Sequence, residues 1–502
     1  MKMKTMIKLP QLCGAVLLLS CTTSELPPDK NVLSSGLNTS IVIEHPTTSL
    51  SNSSDDLPSM YPFGDKAYFV KGQVSATSNI NPNLLFTTKI ASSNLGDIIK
   101  NGEKLNMVAL GGGMTAGVRN GGLYRAGQMT AYPNLVARQM GLTDFQSPLF
   151  AENEANGTGY LQLVDDGSQY PTWKEVNNNK TTTKAGSPPE LSKYIGGSIN
   201  NYAFPEGSLE IIGRPVNNNG GLGIFDKTWS TGQVFISRMM PASVDVASVP
   251  LRKQIFKQPV NFYIIEDNVD ILLSAIKYNA NALSSYGYNI SSVGPTMLSY
   301  TLELLKENSN ADKGVLFTWP IITDLAYFNW FTIQDLKSKA KNISILTTRN
   351  NENFVIDGSN NNFLFMPTPT IDGLFRNLKK GDNISITLED TDILDPQEFN
   401  INTLFIKRYN DRIRQLAKDK GLAIVDLEKI YGQIHSNSYV SSDGFKIDGG
   451  TRGNFFSADG IYPTAIGQAV IANEVIKSIN ATYKSSIPFI NLKDYSLSVG
   501  KE

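Results

Sequence analysis

The sequence predicts an α/β fold, a three-layer α/β/α sandwich built on a mostly parallel sheet and carrying insertions. Short apolar runs, rich in β-branched residues, recur along the chain at 107–110, 260–265, 314–318 and 422–426. Runs of this length and composition are typical of parallel strands that are buried on both faces. Helical patterns lie between the runs, and this alternation indicates parallel strands joined by right-handed crossovers, with helices on both faces of the sheet.

Three segments carry apolar residues at helical spacing. The first two cover 132–140 and 406–416, and each is followed by a glycine, Gly141 or Gly421, of the kind that often ends a helix. The third covers 466–479 and begins after Pro463. Residues 340–395 fit the strand–helix pattern least well and contain asparagine-rich patches, so we expect them to form an insertion over one edge of the fold.

The first residues have the pattern of a lipoprotein signal peptide, 1–20. Three lysines precede an apolar stretch that ends in Leu-Leu-Leu-Ser before Cys21, and the stretch is too short to span a bilayer. We expect Cys21 to be lipidated after cleavage, which anchors the protein to a membrane. Residues 21–59 are rich in Ser, Thr, Pro and Asn and predict a disordered tether. Residues 60–103 are expected to pack on the main domain as an N-terminal extension.

Composition excludes several classes of function. The formal net charge is −1 at pH 7, so the chain lacks the positive field that nucleic-acid binding requires. It has two histidines, His45 and His435, far apart in sequence, and no free cysteine after lipidation of Cys21, which excludes the usual zinc spacings. The acidic cluster 389–395 lacks the glycine turn of a calcium loop and is interpreted as a solvated turn. We therefore expect neither a metal nor a cofactor.

Two motifs resemble the first and last signature blocks of the SGNH (GDSL) hydrolases. Gly111-Gly-Gly-Met-Thr-Ala-Gly117 follows the first apolar run, and Asp459-Gly-Ile-Tyr-Pro-Thr-Ala-Ile-Gly467 opens the last helical segment. Further segments resemble SGNH lipoproteins of Bacteroidota in the family's order: 123–128, 132–133, 235–240, 261–265, 409–410, 421–426 and 487–494. The resemblance covers 104–495 as one domain and implies a flavodoxin-like sandwich, with its site at the carboxyl ends of the strands.

The resemblance implies catalytic groups that this chain does not have. Gly113 stands at the position of the nucleophilic serine, and Tyr462 stands where the family has its histidine base, while Asp459 matches the residue that orients this base. Ala203 falls at the position of a glycine whose amide contributes to the oxyanion hole, and Asn268 matches the oxyanion asparagine. Glu206, Glu266 and Val269 depart from the family pattern.

Other groups are weaker candidates for chemistry. Thr115, Ser457, or water activated by Asp459 could replace the missing nucleophile, although Thr115 is better explained by a role in the turn. His435 lacks the spacing expected of the base. An aromatic run follows the third apolar run and contains Tyr327, Phe328, Trp330 and Phe331. These side chains either line an apolar groove that binds an acyl chain or a partner's side chains, or they pack in the core.

These observations predict a catalytically inactive SGNH-like lipoprotein of the outer membrane. It is expected to act as a binding or structural subunit of a cell-envelope complex, with an outer-membrane protein as partner or with a carbohydrate or acyl ligand. The alternative is an active esterase or acylhydrolase of the GDSL type with non-standard catalytic residues. A third interpretation is a spacer whose cleft is filled by its own side chains.

Overall fold

The computed structural model describes residues 93–100, 103–164, 167–181, 183–184, 190–205, 228–241, 252–267, 269–270, 298–349, 352–357 and 363–499. The predicted signal peptide 1–20, Cys21 and the tether 21–59 lie outside the described residues, as does most of the extension 60–103.

The strands are β1 (Met107–Leu110), β2 (Tyr160–Leu163), β3 (Trp173–Val176), β4 (Thr183–Lys184), β5 (Glu190–Leu191), β6 (Phe262–Ile265), β7 (Gly314–Phe317), β8 (Asn342–Arg349), β9 (Glu352–Asp357), β10 (Leu364–Phe365), β11 (Asn383–Leu388), β12 (Ile393–Leu394) and β13 (Ala423–Val425).

The helices are α1 (Gly113–Ala116), α2 (Arg125–Met129), α3 (Tyr132–Gln139), α4 (Thr228–Met239), α5 (Arg252–Ile255), α6 (Ile333–Lys339), α7 (Pro369–Asn377), α8 (Pro396–Lys420), α9 (Leu427–His435), α10 (Ala465–Tyr483) and α11 (Leu492–Val499). A further helix includes residues 298–309. No helix in the described ranges combines the length and the apolarity needed to cross a membrane.

A parallel sheet with the strand order β1-β6-β7-β13 forms the centre of the fold. Every residue of β1, β6 and β7 is buried, as expected for strands whose two faces are both covered. These are the four strands that the apolar runs predict, so the α/β class and the parallel sheet are confirmed. The full three-layer arrangement stays a prediction.

The segment 200–204 runs along the free edge of β1. Ala109 and Asn201 form a parallel bridge, and the Tyr202 and Phe204 amides donate to the carbonyls of Ala109 and Gly111 at 2.8 and 3.2 Å. This brings Ala203 beside the carboxyl end of β1, where the glycine-rich turn begins.

Residues 340–395 contribute to a second, smaller core. In their three-stranded sheet, β8 pairs in parallel with β11 and antiparallel with β9. Helices α6 and α7 and the β2–β3 hairpin supply further side chains to this core, including Leu336, Phe375 and Trp173. The predicted insertion therefore contains regular structure, although its status as an insertion relative to a family stays a prediction.

Candidate functional site

The glycine-rich turn leaves the sheet at the carboxyl end of β1 and continues into the one-turn helix α1. Gly117 ends this helix in a left-handed conformation with φ 91°, and its amide donates to the Gly113 carbonyl. A Cβ atom at Gly117 would lie 2.4 Å from the carbonyl oxygen of Gly127. Glycine is required here both by the backbone angle and by this close approach.

Gly113 faces the ring of Tyr462. A Cβ atom at position 113 would lie 2.7 Å from the Tyr462 hydroxyl oxygen and 3.0 Å from two ring carbons. The structure thus brings together Gly113 and Tyr462, which are 349 residues apart by subtraction of their numbers. It also leaves no room at Gly113 for a serine side chain while Tyr462 keeps its place.

Asp270 links these two residues. Its Oδ1 accepts a hydrogen bond from the Tyr462 hydroxyl at 2.9 Å, and its Oδ2 accepts one from the Gly113 amide at 2.7 Å. Burial, and then the charge of Asp270, raises the pKa of Tyr462 well above its ordinary value, so the phenol stays protonated and donates. Sequence reasoning missed Asp270, although its position shortly after β6 places it at the same edge of the sheet.

Glu266 is a second buried carboxylate at this edge. It accepts hydrogen bonds from the Gly112 amide at 3.0 Å, the Thr115 hydroxyl at 2.9 Å and the Val269 amide at 2.5 Å. Burial, together with the charge of Asp270, raises the pKa of Glu266 to about 7. Glu266, which differs from the residue expected in the family pattern, is therefore a titratable acid in contact with the turn.

Thr115, the nearest hydroxyl in the turn, is fully buried. It donates to Glu266 and lies 2.8 Å from the Tyr132 hydroxyl. A hydroxyl held in this way stabilises the turn and is not presented to a substrate.

Asp459 anchors the segment that carries Tyr462. Its Oδ1 accepts from the amides of Ile461 and Tyr462 at 2.8 and 2.9 Å, and its Oδ2 accepts from the Gly121 amide at 2.8 Å. Ser457 is also buried, and its Oγ accepts from the Asn120 amide at 2.8 Å. Asp459 and Ser457 thus join the 457–462 loop to the 120–121 turn. This role is structural and does not depend on catalysis.

The remaining predicted residues that the structure describes add no catalytic group to the site. The Ala203 amide donates to Asn201 Oδ1 at 3.1 Å, so it is already engaged. Asn268 and Glu206 lie outside the described residues. His435 is exposed at the end of α9, whereas Gly113 and Asp459 are buried.

The aromatic run packs in the interior. Its four rings are at most 3 % exposed; Tyr327 and Phe328 belong to the main core, and Trp330 and Phe331 to the second core. This placement fits the core-packing alternative and not an open groove. Among the described residues, no group of three or more His, Cys, Asp or Glu side chains could hold a metal ion.

Comparisons of the chain with protein-family models, with curated proteins and with solved structures find no match. The resemblance to SGNH hydrolases therefore depends on the motif residues themselves.

Proposed function

We propose that this protein is a catalytically inactive relative of the SGNH hydrolases, anchored to the outer membrane through lipidated Cys21, that acts as a subunit of a cell-envelope complex. The observation that carries the proposal is the contact of Gly113 with Tyr462, whose hydroxyl is bonded to Asp270. A residue without a side chain faces a protonated phenol at the positions that the family uses for nucleophile and base.

The hydrogen-bond donors of the turn support this proposal. Acyl transfer requires donors aimed at the oxygen where negative charge develops. The amides of Gly112, Gly113 and Ala203 are instead bonded to Glu266, Asp270 and Asn201. When ionised, two carboxylates at this position would repel an oxyanion.

The packing of the site favours a protein partner over a small ligand in the cleft. Tyr462, Asp270 and Glu266 are all buried, and the space in front of Tyr462 is small and lined largely by apolar side chains, including Met114 and Leu325. A carbohydrate or an acyl chain would need the space that these side chains fill. We therefore place the binding function on the outer surface of the domain.

A hydrolysis assay tests the loss of catalysis. Protein lacking residues 1–21 is expected to hydrolyse short-chain nitrophenyl esters no faster than the same protein after heat denaturation, because Gly113 supplies no nucleophile and Tyr462 no base. Fluorophosphonate probes are expected to leave it unlabelled.

Two variants make the assay decisive. Thr115→Val and Ser457→Ala remove the two hydroxyls that the sequence offers as alternative nucleophiles. Labelling of the wild-type protein that disappears in either variant would show a relocated nucleophile, which overturns the proposal in favour of an active esterase.

A further inference from the structure

A surface groove lies at the amino-terminal edge of the central sheet, at the other end of β1 from the glycine-rich turn. The described part of its lining falls in the segments 104–107, 142–146 and 194–200, together with Gln258 shortly before β6. The groove has a volume of about 500 Å³, within the range of roughly 300–1,000 Å³ that is typical of small-molecule sites. One water molecule occupies only about 30 Å³ in the liquid, so the groove can hold a ligand far larger than solvent.

Hydrogen bonds hold the walls of this groove in place. The Gln146 amide donates to Asn200 Oδ1 at 3.0 Å, and the Asn200 amide donates to the Gln146 carbonyl at 2.8 Å. The Asn200 side-chain amide also donates to the Met107 carbonyl at 3.2 Å. These bonds join two wall segments to each other and to β1. A groove that is already formed spends little binding free energy on ordering the backbone around a ligand.

Two aromatic rings, those of Phe145 and Tyr194, line the groove. Both are half-buried and pack against the main core, so their positions are fixed from behind. Gly196 lies against the Tyr194 ring, where a Cβ atom would collide with the Tyr194 hydroxyl; a glycine at this position therefore makes room for the ring. The face of an aromatic ring carries partial negative charge, which attracts C–H groups of a ligand.

The other side chains of the groove are polar and together carry no net charge. Gln146, Ser198 and Gln258 are exposed, and their side chains make no hydrogen bond to another described residue. Amide and hydroxyl groups both donate and accept hydrogen bonds, as the hydroxyls of a ligand do. Lys104 and Asp144 also line the groove and form an ion pair with each other at 2.6 Å. These charges cancel, so the described lining favours a neutral ligand over a strongly ionic one.

We propose that this groove binds a short neutral oligosaccharide. A sugar ring presents C–H groups on its faces and hydroxyls around its edge, so Phe145 and Tyr194 contact the faces and the side-chain amides bind the hydroxyls. An extended peptide would need a free strand edge, and residues 200–204 already pair with the edge of β1. The amphipathic helix of a partner would need an apolar groove. The site does not depend on the proposed function, because it is separate from Gly113 and Tyr462.

Isothermal titration of the full chain tests the site. The probes are maltotriose, cellotriose, mannotriose, xylotriose and triacetylchitotriose, and the neutral peptide acetyl-Ser-Asn-Gly-Ser-amide serves as a comparison. We expect saturable heat with at least one trisaccharide, with a Kd below about 1 mM, and none with the peptide. Absence of saturable heat with all five trisaccharides overturns the proposal, and so does saturable heat with the peptide alone.

Variants place the binding in the groove. Gln146→Ala combined with Gln258→Ala is expected to weaken binding at least about tenfold and to leave Tm unchanged, because these exposed amides bond to no described residue. Tyr194→Leu removes the aromatic face and should weaken binding to a similar extent. The matched control is Gln415→Ala, which changes an exposed glutamine of α8 outside the groove and should keep the wild-type affinity.

Wild-type affinity in the double glutamine variant overturns the proposal, because the sugar is then bound elsewhere. Equal weakening by Gln415→Ala has the same consequence. If Tyr194→Leu does not fold, the double glutamine variant decides, since its substitutions are on the surface.

Discussion

At the residue scale, the first three glycines of the turn are explained by the side chains they face. A Cβ at Gly111 would meet the Thr115 hydroxyl at 2.6 Å, one at Gly112 would meet the Asp270 carboxylate at 2.9 Å, and one at Gly113 would meet Tyr462. Each of these glycines leaves space for a polar side chain that packs against the turn. The absence of a side chain at position 113 and the presence of Tyr462 thus belong to one packing arrangement.

This arrangement predicts an energetic coupling between Gly113 and Tyr462. Gly113→Ala is expected to lower the free energy of unfolding by about 1–3 kcal/mol through overpacking, and to cost much less in a Tyr462→Ala background. Urea denaturation of the four proteins of the double-mutant cycle measures the coupling. Gly197→Ala is the matched control, because a Cβ there would meet nothing within 4 Å. A Gly113→Ala effect as small as that of the control would contradict the packing described here.

The buried acids predict a pH dependence of stability. The pKa of Glu266 is raised from 4.5 to about 7 in the folded chain, so its contribution to stability is fully present below pH 4.5 and is lost as the pH rises through 7. The loss of the Glu266 contribution alone should lower the free energy of unfolding by up to roughly 3 kcal/mol across this range. Glu266→Gln is expected to remove most of this decrease, as measured by urea denaturation between pH 4.5 and 8.

A smaller slope should remain in the variant. Burial also raises the pKa of Asp267, to about 6, and this residue is unchanged by Glu266→Gln. Parallel pH profiles for the two proteins would show that Glu266 is not the titrating group.

At the scale of elements, the sequence predicts the structure best where one kind of packing dominates. The strands β1, β6, β7 and β13 are recognisable because strands covered on both faces are continuously apolar. Helix α10 is recognisable from the helical spacing of its apolar residues after Pro463. In these segments the local sequence alone is enough to predict the secondary structure.

The segment 340–395 was harder to interpret because its described strands are not continuously apolar and buried like those of the central sheet. β11 alternates between buried and less buried positions, and the asparagine-rich patches near β8 and β9 hide the signal. The acidic cluster had a local explanation that was missed: Glu389 and Asp392 form a capping box. Asp395 likewise exchanges hydrogen bonds with Glu398 at the start of α8, so this helix begins ten residues before the predicted 406.

The residues of the candidate site also differ in whether the local sequence identifies them. Gly113, Asp459 and Tyr462 were found from the sequence because they belong to short motifs. Asp270 was not, because its role depends on a contact between the ends of β1 and β6 with the loop before α10.

At the scale of the whole molecule, the proposed function requires the domain to be held at the membrane by its lipid. Acyl chains on Cys21, as proposed, would contribute about 0.8 kcal/mol per buried CH₂ group, and two or more chains would give stable anchoring where one gives only reversible binding. With a formal net charge of −1, the protein as a whole has no strong electrostatic attraction to anionic lipids. The lipid at Cys21 should therefore account for most of the membrane affinity.

Cys21→Ser is accordingly expected to move the protein from the membrane fraction to the soluble fraction, or to leave it with its signal peptide uncleaved. Membrane fractionation followed by immunoblotting measures both outcomes, since retention of residues 1–20 slows migration.

Cys13→Ser is the matched control: it changes the other cysteine, within the predicted signal peptide, and should leave the protein in the membrane fraction. Cleaved Cys21→Ser protein that sediments with membranes until it is released by alkaline carbonate would show that a protein partner holds the domain. Alkaline carbonate removes proteins that are held to a membrane by surface contacts alone, and the Cys21→Ser variant has no acylated residue at position 21. Cleaved variant protein that resists carbonate would therefore contradict lipid anchoring at Cys21.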